Sequence, residues 1–347
     1  MSQLRIGIVG AGSIARARHI PLLQAHPDAA VVAIADVSRE AVDRATTEFN
    51  IPFGYTDYQE MFEQENLDAI SVCTPNKFHA PVAIAAMQKG LHVLCEKPMA
   101  LNADEGRDMV RVARETGKIL MIAYRYRWQA RAQAAKRVIE SGELGEIYMI
   151  RVNALRRRGI PSWGVFTNKE MQGGGAMVDF GVHLLDLALW LAGNPRPVEV
   201  SGTTSQRLGS KPGVNMWGAW NHEQFEVEDQ AAAFVRLEGG KALQLEVSWA
   251  LNIPESQETI SLSGTEGGLD VYPLKVNRTA HGMLINWEPT WMPGEKANEW
   301  ELQMNDFVES VLHGRQPLVK PEEALAVSEI VDAIYRSAST EAAVRIG

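Results

Sequence analysis

Two side chains that could move a proton lie four positions apart in the segment Gly173–Asp186, which reads GGGAMVDFGVHLLD. If this segment is helical, Asp179 and His183 share one face, and the glycines before them let another group approach the backbone closely. Such an aspartate can also simply complement the helix dipole, and such a histidine can be a hydrogen-bonded core residue. However, Asp186 adds a third polar side chain to an otherwise apolar helix, and burying three such groups is costly. We therefore predict that Asp179 and His183 are catalytic.

Lys97 is a third candidate, because it stands between Glu96 and Pro98 directly after a predicted strand at 92–96. A lysine is usually a solvated surface residue. At the carboxyl edge of a parallel sheet, however, its ammonium group can donate a hydrogen bond to a substrate hydroxyl and stabilise developing alkoxide character. We therefore predict that Lys97 is catalytic as well.

The N-terminal segment carries a dinucleotide fingerprint of the form GxGxxA, which directly follows a predicted strand at 4–10 and opens a predicted helix. The first glycine permits a tight turn, and the second lets the backbone come close to a pyrophosphate at the helix N-terminus. An ordinary glycine turn is the alternative. The predicted cofactor contacts in this turn are Gly10, Gly12, Ser13 and Ile14. Together with the acid–base candidates, the fingerprint favours a hydride-transfer enzyme.

Asp36 ends the second predicted strand, at 30–36, and bears on the choice of cofactor. A carboxylate there can accept hydrogen bonds from ribose hydroxyls and repels a 2′-phosphate, so we predict NAD rather than NADP. Arg39 lies close by and could partly offset that repulsion, and we include it among the cofactor contacts. A helix-capping aspartate is the alternative.

Further cofactor contacts are predicted after the strands at 69–74 and 92–96, because ligands of open α/β sheets gather at the carboxyl ends of the strands. These contacts are Thr74, Asn76, His79, Glu96 and Lys97. In the alternative interpretation, Asn76 and His79 only satisfy local backbone groups in a capped turn.

The second half of the chain offers candidates for substrate recognition. Arg156 begins a run of three arginines, which is either a solvated edge or a site for an acidic or phosphorylated group. Trp163, Trp217 and Trp220 lie in Gly-rich segments, and their faces could stack on sugar C–H surfaces or pack in an oligomer contact. Residues 207–222 are rich in Gly, Pro and Asn, and predict a long loop over a site. We take Arg156 and Trp163 as substrate contacts, together with Lys97, Asp179 and His183.

The order of the predicted elements divides the chain at residue 124. Residues 1–123 alternate strands with helices, which predicts an α/β domain with a doubly wound parallel sheet. Residues 124–347 carry longer alternating runs, including a hairpin around Gly239-Gly240, and predict an α+β domain with a mostly antiparallel sheet. Two predicted helices, at about 300–313 and 322–339, end the chain.

Composition and net charge limit the classes of partner that we expect. The chain has 347 residues and a formal net charge of −9, which disfavours nucleic acid and anionic membranes. The N-terminus does not resemble a signal peptide, and we expect no apolar run that approaches the roughly 20 residues of a membrane span. Cys73 and Cys95 form neither a disulfide framework nor a zinc pattern, so we predict buried free thiols, no metal site and a cytoplasmic protein.

The motifs GAGSIA, CTPNKFH, CEKP and GGGAMVDFGVHLLD, followed by VEDQAAAFVRLEGG and SLSGTEGGL, resemble the glucose–fructose oxidoreductase/inositol dehydrogenase (Gfo/Idh/MocA) family in this order along nearly the whole chain. The resemblance implies an N-terminal Rossmann domain and a C-terminal α+β domain whose open-faced sheet forms homodimers or homotetramers. It also implies NAD(P)-dependent oxidation or reduction of sugars, cyclitols and related polyols.

The resemblance also implies roles for particular residues. Lys97, Asp179 and His183 match the family's catalytic positions, and Arg127 most nearly matches an arginine that contacts the substrate. In this hypothesis His183 is the general base, Lys97 donates to the same hydroxyl oxygen, and Asp179 orients the reacting groups. Two alternatives share the fold: an NAD-dependent glycosidase that oxidises its substrate transiently, and a regulator that binds the cofactor without catalysis.

Overall fold

The computed structural model of the chain describes residues 3–347. Its strands are β1 Leu4–Val9, β2 Ala29–Ala35, β3 Phe53–Tyr55, β4 Ala69–Val72, β5 His92–Cys95, β6 Leu120–Ile122, β7 Ile147–Leu155, β8 Pro197–Ser205, β9 Gln230–Leu237, β10 Ala242–Ser248, β11 Gln257–Gly264, β12 Gly267–Asp270, β13 Lys275–Ala280, β14 Met283–Trp287 and β15 Val344–Arg345. Its α-helices are α1 Ile20–Ala25, α2 Arg39–Phe49, α3 Tyr58–Gln64, α4 His79–Gln88, α5 Ala103–Thr116, α6 Ala130–Glu140, α7 Lys169–Gln172, α8 Val182–Leu191, α9 Glu299–His313 and α10 Pro321–Thr340. Short 3₁₀ or π-helical turns occupy Ala15–His19, Asn76–Phe78, Arg125–Trp128, Met177–Gly181 and Glu238–Gly240.

The chain forms two compact units, and each is built from two separate stretches of sequence. The first unit comprises Met1–Arg125 and Asn298–Leu325, and the second comprises Tyr126–Ala297 and Ala326–Gly347. The sequence placed a single boundary at residue 124. The structure keeps a break near that point but assigns α9 to the first unit, since α9 packs against α1.

The first unit contains the predicted doubly wound sheet. Its six strands lie in the order β3-β2-β1-β4-β5-β6, and all neighbouring strands pair in parallel. The central strands are buried almost throughout, as expected when helices cover a parallel sheet. The carboxyl ends of β1, β4 and β5 therefore lie side by side and bring the fingerprint turn, the turn at Thr74 and the turn at Lys97 to one edge.

Two helices of this unit begin with side-chain caps. The Ser38 hydroxyl accepts a hydrogen bond from the Ala41 backbone at the start of α2. Asn102 caps α5 by accepting from the Glu105 backbone at 2.9 Å, and the Glu105 side chain reaches back to Asn102 and to the Leu101 backbone. Both caps lie within a few residues of their partners, which is why the sequence could show them.

The second unit contains a nine-stranded mixed sheet in the order β14-β13-β12-β11-β7-β10-β9-β8-β15. The pair β7–β10 is parallel, and every other neighbouring pair is antiparallel. The predicted hairpin between β9 and β10 is confirmed, with Leu243 opposite Val235. The prediction of an α+β domain with a mostly antiparallel sheet is therefore confirmed.

The segment Lys169–Leu191 contains α7, the π-helical turn and α8. It is long and apolar enough to cross a membrane by length and composition, although the sequence predicted no run that approaches this length. Nearly all of its apolar stretch is buried inside the protein, as in a core helix, so it is weak evidence for a membrane span. Cys73 and Cys95 are buried and free, as predicted.

Candidate active site

The fingerprint turn between β1 and the first helical turn has the shape that a dinucleotide requires. Gly10 has a φ of +98°, and a Cβ there would lie 2.6 Å from the Cys73 carbonyl oxygen. A Cβ at Gly12 would meet no protein atom within 4 Å, so the space beside this residue is open. Ser13 is exposed at the start of the helical segment. A tight turn, open space and a helix N-terminus at one sheet edge fit a bound pyrophosphate.

Asp36 is held at this turn by two backbone groups. Its carboxylate accepts a hydrogen bond from the Ala11 nitrogen at 2.8 Å and from the Ser38 nitrogen at 2.9 Å. A carboxylate has about four acceptor positions, so these bonds fix its orientation and leave capacity for ribose hydroxyls. Arg39 is exposed and lies 3.6 Å from Asp43 on the same helix.

His79 connects the turn after β4 with the turn after β5. Its Nδ1 lies 2.7 Å from the Pro98 carbonyl oxygen, and its Nε2 lies 2.9 Å from the Thr74 carbonyl oxygen. Burial lowers the pKa of His79, so the ring is neutral and donates to one of these oxygens at a time. Asn76 is also buried, whereas Thr74 is partly exposed. The contacts of the His79 side chain are thus the local backbone contacts that the sequence analysis gave as the alternative.

Glu96 is the centre of a buried polar network that includes a residue the sequence analysis did not single out. His19 is fully buried, and its Nε2 lies 2.8 Å from Glu96 Oε1 while its Nδ1 lies 2.7 Å from the Ser71 hydroxyl. The other Glu96 oxygen accepts a hydrogen bond from the Lys97 backbone nitrogen at 3.2 Å. Glu96 therefore links the helix after the fingerprint turn to the turn that carries Lys97.

The charges of this network stabilise each other. Burial lowers the pKa of His19, but Cys73 and Glu96 raise it more, and the resulting pKa is about 10. Burial raises the pKa of Glu96, but His19 and Lys97 lower it more, so the carboxyl stays ionised. The raised pKa of His19 and the lowered pKa of Glu96 both favour the charged forms, so the pair consists of an imidazolium and a carboxylate.

We expect His19 to make stability fall as the pH rises. A folded pKa of about 10 lies above the unfolded value of 6.5, so the folded state holds the proton more tightly. This stabilisation is fully present below pH 6.5 and is lost as the pH rises through 10. Relative to His19→Gln, the wild type should lose up to about 1.4 kcal/mol of unfolding free energy per pH unit in this window. Urea unfolding at pH 6, 8 and 10 measures this difference. His313→Gln, at an exposed position, should leave the slope unchanged, and equal slopes for wild type and His19→Gln would contradict the assigned pair.

Asp179 lies in the π-helical turn Met177–Gly181, directly before α8. Its Oδ2 accepts a hydrogen bond from the Trp249 indole nitrogen at 2.9 Å and lies 3.4 Å from an Arg156 guanidinium nitrogen. The carboxylate is therefore held by a neutral donor and a cation from two different parts of the second unit. This restraint suits a group that orients a substrate.

Arg156 is sandwiched between aromatic rings. Its guanidinium carbon lies 4.1 Å from the Phe180 ring centre and 4.4 Å from the Trp217 ring centre. Burial lowers its pKa, and the neighbouring Asp179 raises it. The two other arginines of the run donate to backbone carbonyls, Arg157 to Pro254 and Arg158 to Leu251. The cluster is therefore largely engaged within the protein rather than displayed as one cationic surface.

His183 lies in the first turn of α8, and its ring stacks on Tyr126 with 4.9 Å between ring centres. The π-helical turn that holds Asp179 runs directly into the regular α-helix, which starts at Val182 and holds His183. Part of the π-helical turn therefore lies between Asp179 and His183, and such turns are frequent at functional sites. Within residues 3–347, no group of three or more His, Cys, Asp or Glu side chains is arranged to hold a metal ion.

Glu228 explains why glycines precede this turn. Its carboxylate accepts hydrogen bonds from the backbone nitrogens of Gly175 at 2.8 Å and Met177 at 2.9 Å, and from the Tyr335 hydroxyl at 2.9 Å. A Cβ on Gly175 would lie 2.1 Å from the Glu228 carbonyl oxygen. The group that approaches the glycine backbone closely is thus Glu228 itself, whose carboxylate serves the helix N-terminus as an anionic cap. Sequence reasoning missed it, although its position in the motif VEDQ was a signal.

Arg127 lies in the interior of the second unit. Its guanidinium is fully buried and makes a bidentate ion pair with Asp186, at 2.6 and 2.9 Å. Asp186, the third polar side chain of this helical segment after Asp179 and His183, is therefore the partner of Arg127. This buried pair supports the second unit, and the predicted substrate contact of Arg127 is tested below by a double variant.

The fold and these side chains define an oxidoreductase with a dinucleotide-binding Rossmann domain. Residues 4–124 match the model of the oxidoreductase family with an NAD-binding Rossmann fold, and residues 132–270 match the GFO/IDH/MocA C-terminal domain. The chain belongs to the Gfo/Idh/MocA family, as its motifs predicted.

Individual relatives agree with this assignment. The chain is 33% identical to D-glucoside 3-dehydrogenase of Escherichia coli K12 over 342 residues, covering 98% of this chain and 96% of that protein. An oxidoreductase domain protein of Kribbella flavida has the same fold, with 22% identity, a TM-score of 0.86 and full coverage of both chains. The WlbA dehydrogenase of Bordetella pertussis, solved with NADH and UDP-GlcNAcA, matches with 26% identity, a TM-score of 0.79 and 99% coverage of both chains.

Proposed function

We propose that the protein is an NAD-dependent dehydrogenase that oxidises a hydroxyl group of a sugar, cyclitol or related polyol, with a D-glucoside as the leading substrate. The substrate class rests on the likeness to D-glucoside 3-dehydrogenase, which extends over 98% of the chain. The choice of NAD as the cofactor is supported by the open space beside Gly12 in the fingerprint turn and by the carboxylate of Asp36, which backbone hydrogen bonds hold in place.

The proposed roles of the catalytic residues follow from their chemistry. His183 accepts the proton of the reacting hydroxyl, since a neutral imidazole is a suitable general base near pH 7. Lys97 donates a hydrogen bond to the same oxygen and stabilises its developing negative charge. Asp179, held by Trp249 and Arg156, orients the substrate and balances charge. When bound, NAD supplies the hydride-accepting nicotinamide ring.

The cofactor contacts are proposed on the same basis. Backbone groups at Gly10, Gly12, Ser13 and Ile14 receive the pyrophosphate, and Thr74 and Asn76 line the same sheet edge. His79 and Glu96 act indirectly in this proposal, because their side chains hold the turns at Thr74 and Lys97 in place.

Asp36 is expected to set the preference for NAD. Asp36→Asn keeps the shape of the side chain but removes the charge that repels a 2′-phosphate. We expect the ratio of kcat/KM with NAD to kcat/KM with NADP to fall by about tenfold or more, since hydrogen bonds to charged groups contribute about 1.5–3 kcal/mol. Steady-state kinetics with both cofactors measures the ratio. Asp104→Asn, at an exposed position of α5, is the matched control. An unchanged ratio in Asp36→Asn would show that another group selects the cofactor.

The test of the function is an absorbance assay at the NADH band. NAD and NADP are offered with methyl and phenyl D-glucosides, free sugars, inositols and sugar acids. Oxidation of glucosides in preference to the other compounds supports the proposal, and oxidation of another class reassigns the substrate. A protein that binds NAD but oxidises nothing in the panel is next tested for cleavage of chromogenic glycosides, which would indicate a glycosidase.

The assembly and location are part of the same proposal. Tyr148 on β7 and Phe234 on β9 are exposed on the nine-stranded sheet, which suits a homodimer or homotetramer. The two free cysteines suit a reducing compartment, and we place the enzyme in the cytoplasm. Light scattering of the purified protein measures the oligomeric state.

A further inference from the structure

Two loops of the second unit are joined by hydrogen bonds into one surface element. The Asn215 side chain accepts from the Ile160 backbone nitrogen at 3.0 Å and donates to the Ile160 carbonyl oxygen at 2.9 Å. The Ser162 hydroxyl donates to the Trp217 carbonyl oxygen. The 206–222 loop is itself anchored at its start, because Asp229 accepts from the Leu208 and Gly209 backbones at 2.6 Å each. The side chains that these loops present are therefore held in place.

Three of those side chains form an aromatic shelf, which we define as Trp163, Phe166 and Trp217. The ring centres of Trp163 lie 5.7 Å from those of Trp217 and 6.1 Å from those of Phe166. Trp163 is 50% exposed and Trp217 is 38% exposed, although their indoles are among the most costly groups to leave in water. Exposed apolar clusters of this kind mark binding surfaces.

The shelf is continuous with the candidate catalytic residues. Arg156 contacts Asp179 at 3.4 Å and Trp217 at 4.4 Å, so one guanidinium spans from the catalytic carboxylate to the shelf. Trp163 lies one ring further out, next to Trp217. A substrate that reaches Asp179 with one sugar ring therefore has its next ring near Trp217 and Trp163.

We propose that the aromatic shelf binds the aglycone ring of a glycoside substrate, and that Trp163 makes the enzyme select glycosides with a ring-shaped aglycone over simple alkyl glycosides. The inference rests on the proposed oxidation of glucosides. The flat indole faces suit the apolar face of an aryl group or a second sugar ring. An acidic aglycone fits less well, because Asp179 already balances the charge of Arg156, the arginine that contacts the shelf.

The test compares phenyl and methyl β-D-glucopyranoside, with both α-anomers in parallel. For the wild type we expect a higher kcat/KM with the phenyl glucoside. Trp163→Ala should lower the phenyl-to-methyl ratio about three- to tenfold, the range expected for one aromatic contact. The change should appear mainly in KM for the phenyl glucoside, because the aglycone does not touch the reacting atoms. Trp163→Phe should restore part of the ratio.

Trp291→Ala is the matched control, since Trp291 is 67% exposed and makes no part of the shelf. An unchanged ratio in Trp163→Ala overturns the proposal. So does a change of oligomeric state in Trp163→Ala by light scattering, which would make the shelf an interface between copies.

Calorimetric titration separates this inference from the proposed function. If the wild type oxidises neither glucoside, the proposed function fails, and binding of phenyl glucoside in the presence of NAD then tests the shelf alone. Tighter binding to the wild type than to Trp163→Ala supports the shelf. Equal binding, or no binding, overturns it.

Discussion

Replacing His183 with asparagine is expected to lower kcat/KM for sugar oxidation by roughly 10²–10⁴-fold, the range that a positioned general base contributes. Asparagine keeps a polar side chain beside Tyr126 but cannot accept the hydroxyl proton. The loss should appear mainly in kcat, because the proton moves in the transition state. The remaining activity should rise with pH as hydroxide replaces the imidazole. Steady-state kinetics from pH 6 to 10 measures both effects.

Two further variants make this result interpretable. His313→Asn changes an exposed histidine at the end of α9 and should leave kcat/KM unchanged. Lys97→Ala should also reduce turnover strongly, since the ammonium group that eases ionisation of the hydroxyl is lost. If His183→Asn and Lys97→Ala both fold and turn over at near wild-type rates, the proposed catalytic roles are wrong.

Replacing Arg127 with methionine is expected to lower the free energy of unfolding by about 3–5 kcal/mol. The substitution leaves the Asp186 carboxylate fully buried without its bidentate partner. It also removes the guanidinium from the Trp190 ring, which lies 5.7 Å away. Urea unfolding monitored by circular dichroism measures the change.

The double variant Arg127→Met/Asp186→Leu keeps the test decisive if the single variant does not fold. Removing both charges should recover most of the stability, because a buried ion pair roughly balances its own desolvation. The KM for the sugar should remain at the wild-type value in the double variant. A folded double variant with a KM raised tenfold or more would return Arg127 to the substrate site. Arg44→Ala breaks an exposed pair with Glu40 and should cost less than about 1 kcal/mol.

The parts of the fold that the sequence showed are those with local causes. The strands of the parallel sheet are apolar runs, and the caps at Ser38 and Asn102 bind groups three residues away. The strand β3 was missed, because Phe53–Tyr55 is three residues long and contains a glycine. The strands β13 and β14, at one end of the nine-stranded sheet, were missed as well, since neither is buried enough to show a clear apolar alternation.

The candidate site likewise contains residues that local motifs could indicate and contacts that they could not. Lys97, Asp179 and His183 stand in short motifs whose residue types suggest their chemistry. Glu228 acts 53 residues from Gly175, and Asp186 pairs with Arg127 from 59 residues away. The motif VEDQ marks Glu228 itself, but no local pattern encodes which distant residue either side chain binds, because the fold alone brings the partners together. The same holds for the π-helical turn, which forms where Glu228 binds the backbone nitrogens at its start.

The discontinuous first unit has a consequence for how the chain is synthesised. A ribosome that has made residues 1–125 has synthesised all six strands of the parallel sheet but not α9, whose Met304, Phe307 and Val308 are fully buried in the finished protein. More than 170 residues of the second unit must be translated before α9 can pack against α1. The apolar surface that α9 later covers is therefore exposed on the nascent first unit during that interval. A chaperone that binds exposed apolar surfaces would have the longest time to bind at this stage.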